Sequence, residues 1–343
     1  MEANFLSEFS RGRDNNLNLI RMIAATGVLI SHAWAVSSGL ADQQPLSETL
    51  RGIDLGTISV YIFFAISGYL VARSFDRTGS LKRFWSAWVL RIFPALLVLL
   101  LVTALIIGPF LTIAEAGEFW KTAPSYIFRN LTLFSLQQHL PGVFTDNPVG
   151  AAINIPLWTL SYELLCYFSI MLLGIAGVLK SHRLMVLALL AFLIAYAIIL
   201  YYEPHQRLVS LAKLALPFIT GVFFFVWREK IPLSPLIGLG LFALAAIAYN
   251  TILFQEIFVI AITYNVFLLA YLPGGVIRKY NRVGDYSYGI YIYAFPIQQI
   301  VAYQGVTEPI LNIFISFPVA LVCAVISWTV IEKPSLALAK SIR

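Results

Sequence analysis

The sequence is short of charge and of chemistry-bearing side chains. Asp, Glu, Lys and Arg together make up 12% of its 343 residues, about half the share of an average soluble domain. There are two cysteines, Cys166 and Cys323, both inside apolar runs, so a disulfide framework is excluded. The four histidines show no metal-ligand spacing, so no metal site is expected. A phosphate-cradling glycine loop and a dinucleotide fingerprint are absent. No repeat of 20–50 residues, low-complexity tract or linker is visible. The formal net charge of +6 does not speak for nucleic acid, because the basic residues sit in short loops between apolar runs.

What the chain does have is apolar length. Hydrophobic residues make up 59% of it, with 17 Tyr and 7 Trp of the kind that favour membrane interfaces. Ten stretches of about 18–25 residues are long enough to cross a bilayer as helices. They lie near 17–36, 55–73, 85–109, 157–179, 184–202, 208–227, 233–251, 255–272, 286–304 and 309–331. The expected fold is an all-α polytopic membrane protein of about ten transmembrane helices. Residues 110–155 form the longest connection, with an interfacial helix expected near 123–136. Loop charges agree with this count. Arg11 and Arg13, Arg73 to Arg83, Lys180 and Arg183, Arg228 and Lys230, Arg278 to Arg282, and Lys333 to Arg343 fall on one side. The positive-inside rule then places both termini in the cytoplasm. Ala33-Trp34-Ala35 has the outline of a signal-peptidase site, but Arg21 interrupts the apolar core before it, so the first span reads as an uncleaved anchor.

Ionisable side chains inside the spans are few, and each one there is expensive. The first span carries Arg21 and, eleven residues on, His32. At ~100° per residue that spacing is three turns plus ~20°, so both side chains share a helix face, about 16–17 Å apart along the axis. Such a helix suits a long ligand with an anionic end and a reactive tip. The plain alternatives are a snorkelling arginine and a histidine bonded to a neighbouring helix. Arg91 stands about two turns into the third span, at the level of Arg73, Lys82 and Arg83, which makes a basic cluster suited to phosphates. Ordinary loop charge is the competing reading for the shallower members. Glu163, in IPLWTLSYELLCYF, enters from the opposite side and can share a depth with His32. A carboxylate beside an imidazole orients it as a general base; a structural ion pair is the alternative. Ser67 in FFAISGYL and Cys166 are weaker nucleophile candidates, since a Ser-Gly pair in a membrane helix is usually a close-packing device. GDYSYGIYIYAFP (284–296), with Tyr286, Ser287 and Tyr291, reads as a substrate-lining helix, and Trp158 and Tyr162 flank the Glu163 turn.

Taken in order, these segments resemble the integral-membrane acyltransferase family 3, bacterial O-acyltransferases of surface polysaccharides and lipid-linked glycans. The resemblance rests on Arg21 and His32, FFAISGYL at 63–70, Arg83 with RIFP at 91–94, PLWTLSYE at 156–163, GDYSYGIYIY at 284–293 and Glu332-Lys333-Pro334. It implies acetyl-CoA as acyl donor, taken from the cytoplasm, and a glycan hydroxyl as acceptor on the outer side of the cytoplasmic membrane. It also implies His32 and Glu163 as catalytic residues, with Arg21, Arg83 and Arg91 on the donor and Trp158 matching the family's tryptophan. Two positions depart from the pattern: Trp88 stands about where many members have a second arginine, and Ala294 where many have a histidine. The expected organisation is one acyltransferase domain over residues 1–343 without a fused soluble domain. The competing function classes are a glycan or small-solute transporter or flippase, against which the absence of an inverted hydropathy repeat counts, and a non-catalytic membrane scaffold, which leaves Arg21, His32 and Glu163 without a reason.

Overall fold

The computed structural model describes residues 5–10, 12 and 14–342. Arg11, Arg13 and Arg343, counted above among the loop charges, lie outside the described residues. Those residues form helices and turns with no strand; the one β-bridge joins Phe5 to Pro232. Eight helices among them are long and apolar enough to cross a membrane by length and composition. The other two expected crossings are occupied by shorter helices, Pro235–Ile247 and Ser287–Tyr303. The first of these has 13 residues, about 20 Å of rise against a hydrocarbon core of about 30 Å. A run of turns at 248–253 takes up the rest of the apolar stretch.

The chain resolves into two compact units, each assembled from three separate segments. The first comprises residues 1–21, 60–81 and 162–284. It holds a short N-terminal helix α1 (Leu6–Phe9), the start of α2 (Leu17–Ser38) and most of α3 (Leu55–Thr78). Most of α7 (Trp158–Ile175) follows, with α8 (His182–Tyr202), α9 (Gln206–Val226), α10 (Pro235–Ile247) and α11 (Phe254–Tyr271). Two glycines allow α3 and α9 to touch backbone to backbone. A Cβ on Gly68 would run into the Phe218 carbonyl, and one on Gly221 into the Ala65 carbonyl. Gly68 is thus the close-packing residue that the Ser-Gly pair suggested. Tyr69 of α3 continues this contact edge-to-face against Phe225, at 5.8 Å between centroids, and tilted against Phe267 at 4.8 Å. The N-terminal segment is fastened to this unit: Leu6 is buried, its N–H donates to the Ile231 carbonyl, and Asn16 Nδ2 donates to the carbonyls of Leu269 and Pro273.

The second unit comprises residues 22–59, 82–161 and 285–343. Here α4 (Leu81–Val102) runs through a π turn, Thr103–Ile107, into α5 (Gly108–Leu111). The helix expected within the 110–155 connection is α6 (Ala116–Thr132), longer and earlier than expected. Its buried stripe, Phe119, Ala123, Tyr126 and Asn130, follows helical spacing, and Leu133 ends it in the left-handed region at φ 60°. Pro124 lies outside that stripe and is exposed, which is how a helix accommodates it mid-length. Burial pushes the Tyr126 phenol above its usual range. The loop after α6 is pinned to α12 (Ser287–Tyr303): Asn147 Nδ2 donates to Gln299 Oε1, Gln299 Nε2 donates to the Gly150 carbonyl, and Asn154 Nδ2 donates to the Ile292 carbonyl. α13 (Pro309–Ser327) packs on α12 where Gly289 meets Ala324, and a π turn, Trp328–Glu332, leads into α14 (Lys333–Ser341).

Candidate active site

His32 lies in the second unit, half-buried on α2. Its Nδ1 is 2.8 Å from the Val28 carbonyl oxygen, one turn back along the same helix. A carbonyl only accepts, so Nδ1 carries the proton and, in the neutral ring, Nε2 holds the basic lone pair. The ring stands edge-on to Phe295 of α12, 5.5 Å between centroids at 82°. One turn along α12 Gln298 Nε2 donates to the Leu29 carbonyl, so the imidazole is carried by two helices cross-linked next to it. Ala294, one of the two positions that depart from the expected pattern, packs with Leu29 and Ala320 in an apolar cluster.

Arg91, expected on donor phosphates, has a carboxylate partner in the same unit. Its Nη2 is 2.6 Å from Asp285 Oδ2, with the arginine side chain 35% exposed and the aspartate 8%. The other Asp285 oxygen accepts from Ser287 Oγ at 2.6 Å. One residue along each helix, Tyr288 Oη donates to the Ile92 carbonyl. The start of α12 is therefore bolted to α4 by an ion pair and one hydrogen bond, with Ser287 bracing the aspartate from its own side. Asp285 did not stand out in the sequence because it falls just before the 286–304 span, where it reads as loop charge; its place two residues before the first hydroxyl of α12 was the available signal. Ser287, expected to line substrate, gives its hydroxyl proton to Asp285. Tyr291 is buried and hydrogen-bonds the Pro156 carbonyl at 2.7 Å and the Thr159 hydroxyl, so it ties α12 to the turn that carries Trp158. Trp158 and Tyr286 are half-buried, and Arg83 stands exposed on the first turn of α4. Trp88 is buried edge-on between Trp85 and Phe93, an environment that accepts an indole and would strip an arginine of water.

Glu163, Tyr162 and Arg21 belong to the first unit. Glu163 Oε1 accepts from Tyr167 Oη at 2.6 Å and from Ser67 Oγ at 2.9 Å. Ser67 is thus a hydrogen-bond donor to the Glu163 carboxylate. The Arg21 guanidinium lies over the Phe63 ring, 5.9 Å from its centroid. Phe63 and Ser67 are one turn apart on α3, so Arg21 and Glu163 meet the same helix on neighbouring turns. Tyr162 is half-buried beside Glu163 in sequence. Cys166 is buried. Among the described residues no group of three or more His, Cys, Asp or Glu side chains is arranged to hold a metal ion.

A helical chain with an oriented imidazole on a membrane-length helix fits group transfer, and the family assignment follows from comparison. The acyltransferase family 3 model, described as an acyltransferase domain, matches residues 14–329. The chain belongs to this family. It is 28% identical to an O-acetyl transferase of Shigella phage Sf6 over 332 residues, covering 94% of this chain and 96% of the relative. It is 29% identical to nodulation protein 10 of Rhizobium leguminosarum bv. viciae, covering 98% and 97%. Acyltransferase MdmB of Streptomyces mycarofaciens is 31% identical over 159 residues, covering 45% of this chain and 37% of that one. No solved structure matches.

Proposed function

We propose that this protein is a multi-pass O-acyltransferase of the cytoplasmic membrane that moves an acetyl group from acetyl-CoA to a hydroxyl of a cell-surface or lipid-linked glycan. The observation that carries the reading is the hydrogen bond between His32 Nδ1 and the Val28 carbonyl. With Nδ1–H committed to the Val28 carbonyl, Nε2 is the nitrogen available to take a proton. The acceptor hydroxyl gives its proton to Nε2 as its oxygen attacks the thioester carbonyl. The tetrahedral intermediate collapses with cleavage of the carbon–sulfur bond. The thiolate leaves and recovers a proton from the imidazolium, so the enzyme ends unchanged and the acetyl ester is the product. General-base help of this kind is worth about 10²–10⁴-fold in rate.

Glu163 is assigned as the second catalytic residue, its carboxylate fixed by Tyr167 and Ser67. Arg21 and Arg83 are assigned to the donor, while Arg91, already paired with Asp285, acts by positioning α12. Trp158, Tyr162 and Tyr286 are assigned to the acceptor. Residues 1–343 act as one acyltransferase domain, with both termini in the cytoplasm on the strength of the loop charges. Membranes containing the chain, given acetyl-CoA labelled in the acetyl group and the host glycan, should transfer label to the glycan. A glycan that crosses the membrane unlabelled is the transporter's result and would remove the reading.

A further inference from the structure

The first unit contains a cavity of about 390 Å³ that the assignments above do not use. Its volume is within the roughly 300–1,000 Å³ of ligand pockets. Arg73 and Arg77 of α3 line it together with Asn15, Asn18, Ser74 and Asn281, and among the described residues no acidic side chain does. The two arginines are one turn apart on one helix face, a spacing at which like charges repel. Arg73 reaches only the Gly12 carbonyl, at 3.4 Å, and neither guanidinium has an ion-pair partner among the described residues. On their other side they line a second cavity of about 400 Å³ with Arg228, where Asp76 and Glu229 are also present. The acid-free cavity is therefore the electropositive one. Asp14, next to Asn15 in sequence, is ion-paired with Arg278. The walls are held in place: Asn281 donates to the Asn15 carbonyl, and Asn15 Oδ1 accepts from the Leu17 N–H at 3.1 Å.

Two unneutralised guanidinium groups beside three carboxamides and a hydroxyl suit a ligand with several phosphates and a heterocycle edge rich in donors and acceptors. We propose that this cavity binds the adenosine 3′,5′-bisphosphate portion of the acyl donor, with Arg73 and Arg77 on its phosphates and Asn15, Asn18 and Asn281 offered to its adenine and ribose. The inference rests on the proposed donor, and it gives the main phosphate contacts to Arg73, a member of the basic cluster read from the sequence, and to Arg77 one turn on.

The test separates binding from transfer. Full-length protein in phosphatidylcholine nanodiscs is titrated with adenosine 3′,5′-bisphosphate, which carries two of the donor's three phosphates and no thioester. The wild-type chain and His32→Ala should bind it equally. Arg73→Gln and Arg77→Gln should each raise Kd about tenfold or more, the size of one lost charge-assisted contact. Lys180→Gln, another exposed cation of the basic loops, should leave Kd unchanged. Donor KM should rise by the same factor in the two arginine variants, with kcat retained at saturating donor. An unchanged Kd in the double variant, or a wild-type chain that transfers acetyl yet does not bind the nucleotide, overturns the site and leaves the proposed reaction standing. Nucleotide binding that is lost in phosphatidylglycerol nanodiscs would give the cavity to a lipid headgroup and overturn it as well.

Discussion

The Arg91–Asp285 pair gives the sharpest quantitative prediction. Replacing Asp285 by Asn keeps the shape and removes the charge. An exposed pair is worth about 0.2–1 kcal/mol, whereas breaking a fully buried one costs about 3–5 kcal/mol. Here the aspartate side chain is 8% exposed and the arginine 35%, so the pair is open to water on one side only. The expected loss is about 1–3 kcal/mol, between those limits. The Ser287 hydroxyl retains an acceptor in the amide oxygen, so its bond adds little to that figure. The assay is unfolding in mixed micelles with increasing sodium dodecyl sulfate, run as a cycle over Asp285→Asn, Arg91→Gln and the double variant. A coupling energy of about 1 kcal/mol or more, with either single variant about as destabilised as the double, supports a positioning pair. A charge exchange, Arg91→Asp with Asp285→Arg, should recover part of the loss. Additive effects near zero, combined with a donor KM that rises only in the arginine variant, would show that Arg91 serves the donor and that the bolt between α4 and α12 is incidental.

Three further outcomes follow from the packing. Gly68→Ala and Gly221→Ala each drive a methyl group into a backbone carbonyl of the facing helix, and each should cost about 1–3 kcal/mol in the same unfolding assay; a neutral result would mean that α3 and α9 are further apart than described. Tyr167→Phe removes a donor from Glu163 without changing volume, and about 1–2 kcal/mol should be lost, measured in the same way. Gln299→Leu unfastens the loop between α6 and α7 at Gly150 and Asn147, and limited proteolysis should then cut within 140–152 faster than in the wild-type chain.

Much of the helical plan was legible because lipid leaves the backbone one solution and apolar length marks it. The Arg21-to-His32 interval was legible for the same reason: α2 runs unbroken from Leu17 to Ser38, so spacing converts directly to direction. Partners distant in sequence were not legible. Ser67 meets Glu163 across 96 residues, and Arg91 meets Asp285 across 194. No local pattern encodes such meetings, and Asp285 at a span boundary resembles any loop carboxylate. The orientation of His32 was hidden differently. A histidine satisfied by its own helix, four residues back, needs no second side chain to orient it, and every residue has a backbone carbonyl, so no residue type marks the partner. The interleaving of three segments in each compact unit is a property of packing that hydropathy does not carry.

The most direct test of the central claim is the rate of acetyl transfer to the glycan by His32→Ala, with protein matched to wild type by immunoblot and nucleotide binding intact. A fall of about 10²–10⁴-fold is predicted, the contribution of a positioned base. Transfer within about threefold of wild type would contradict the account, because the proposed proton transfer runs through His32 Nε2.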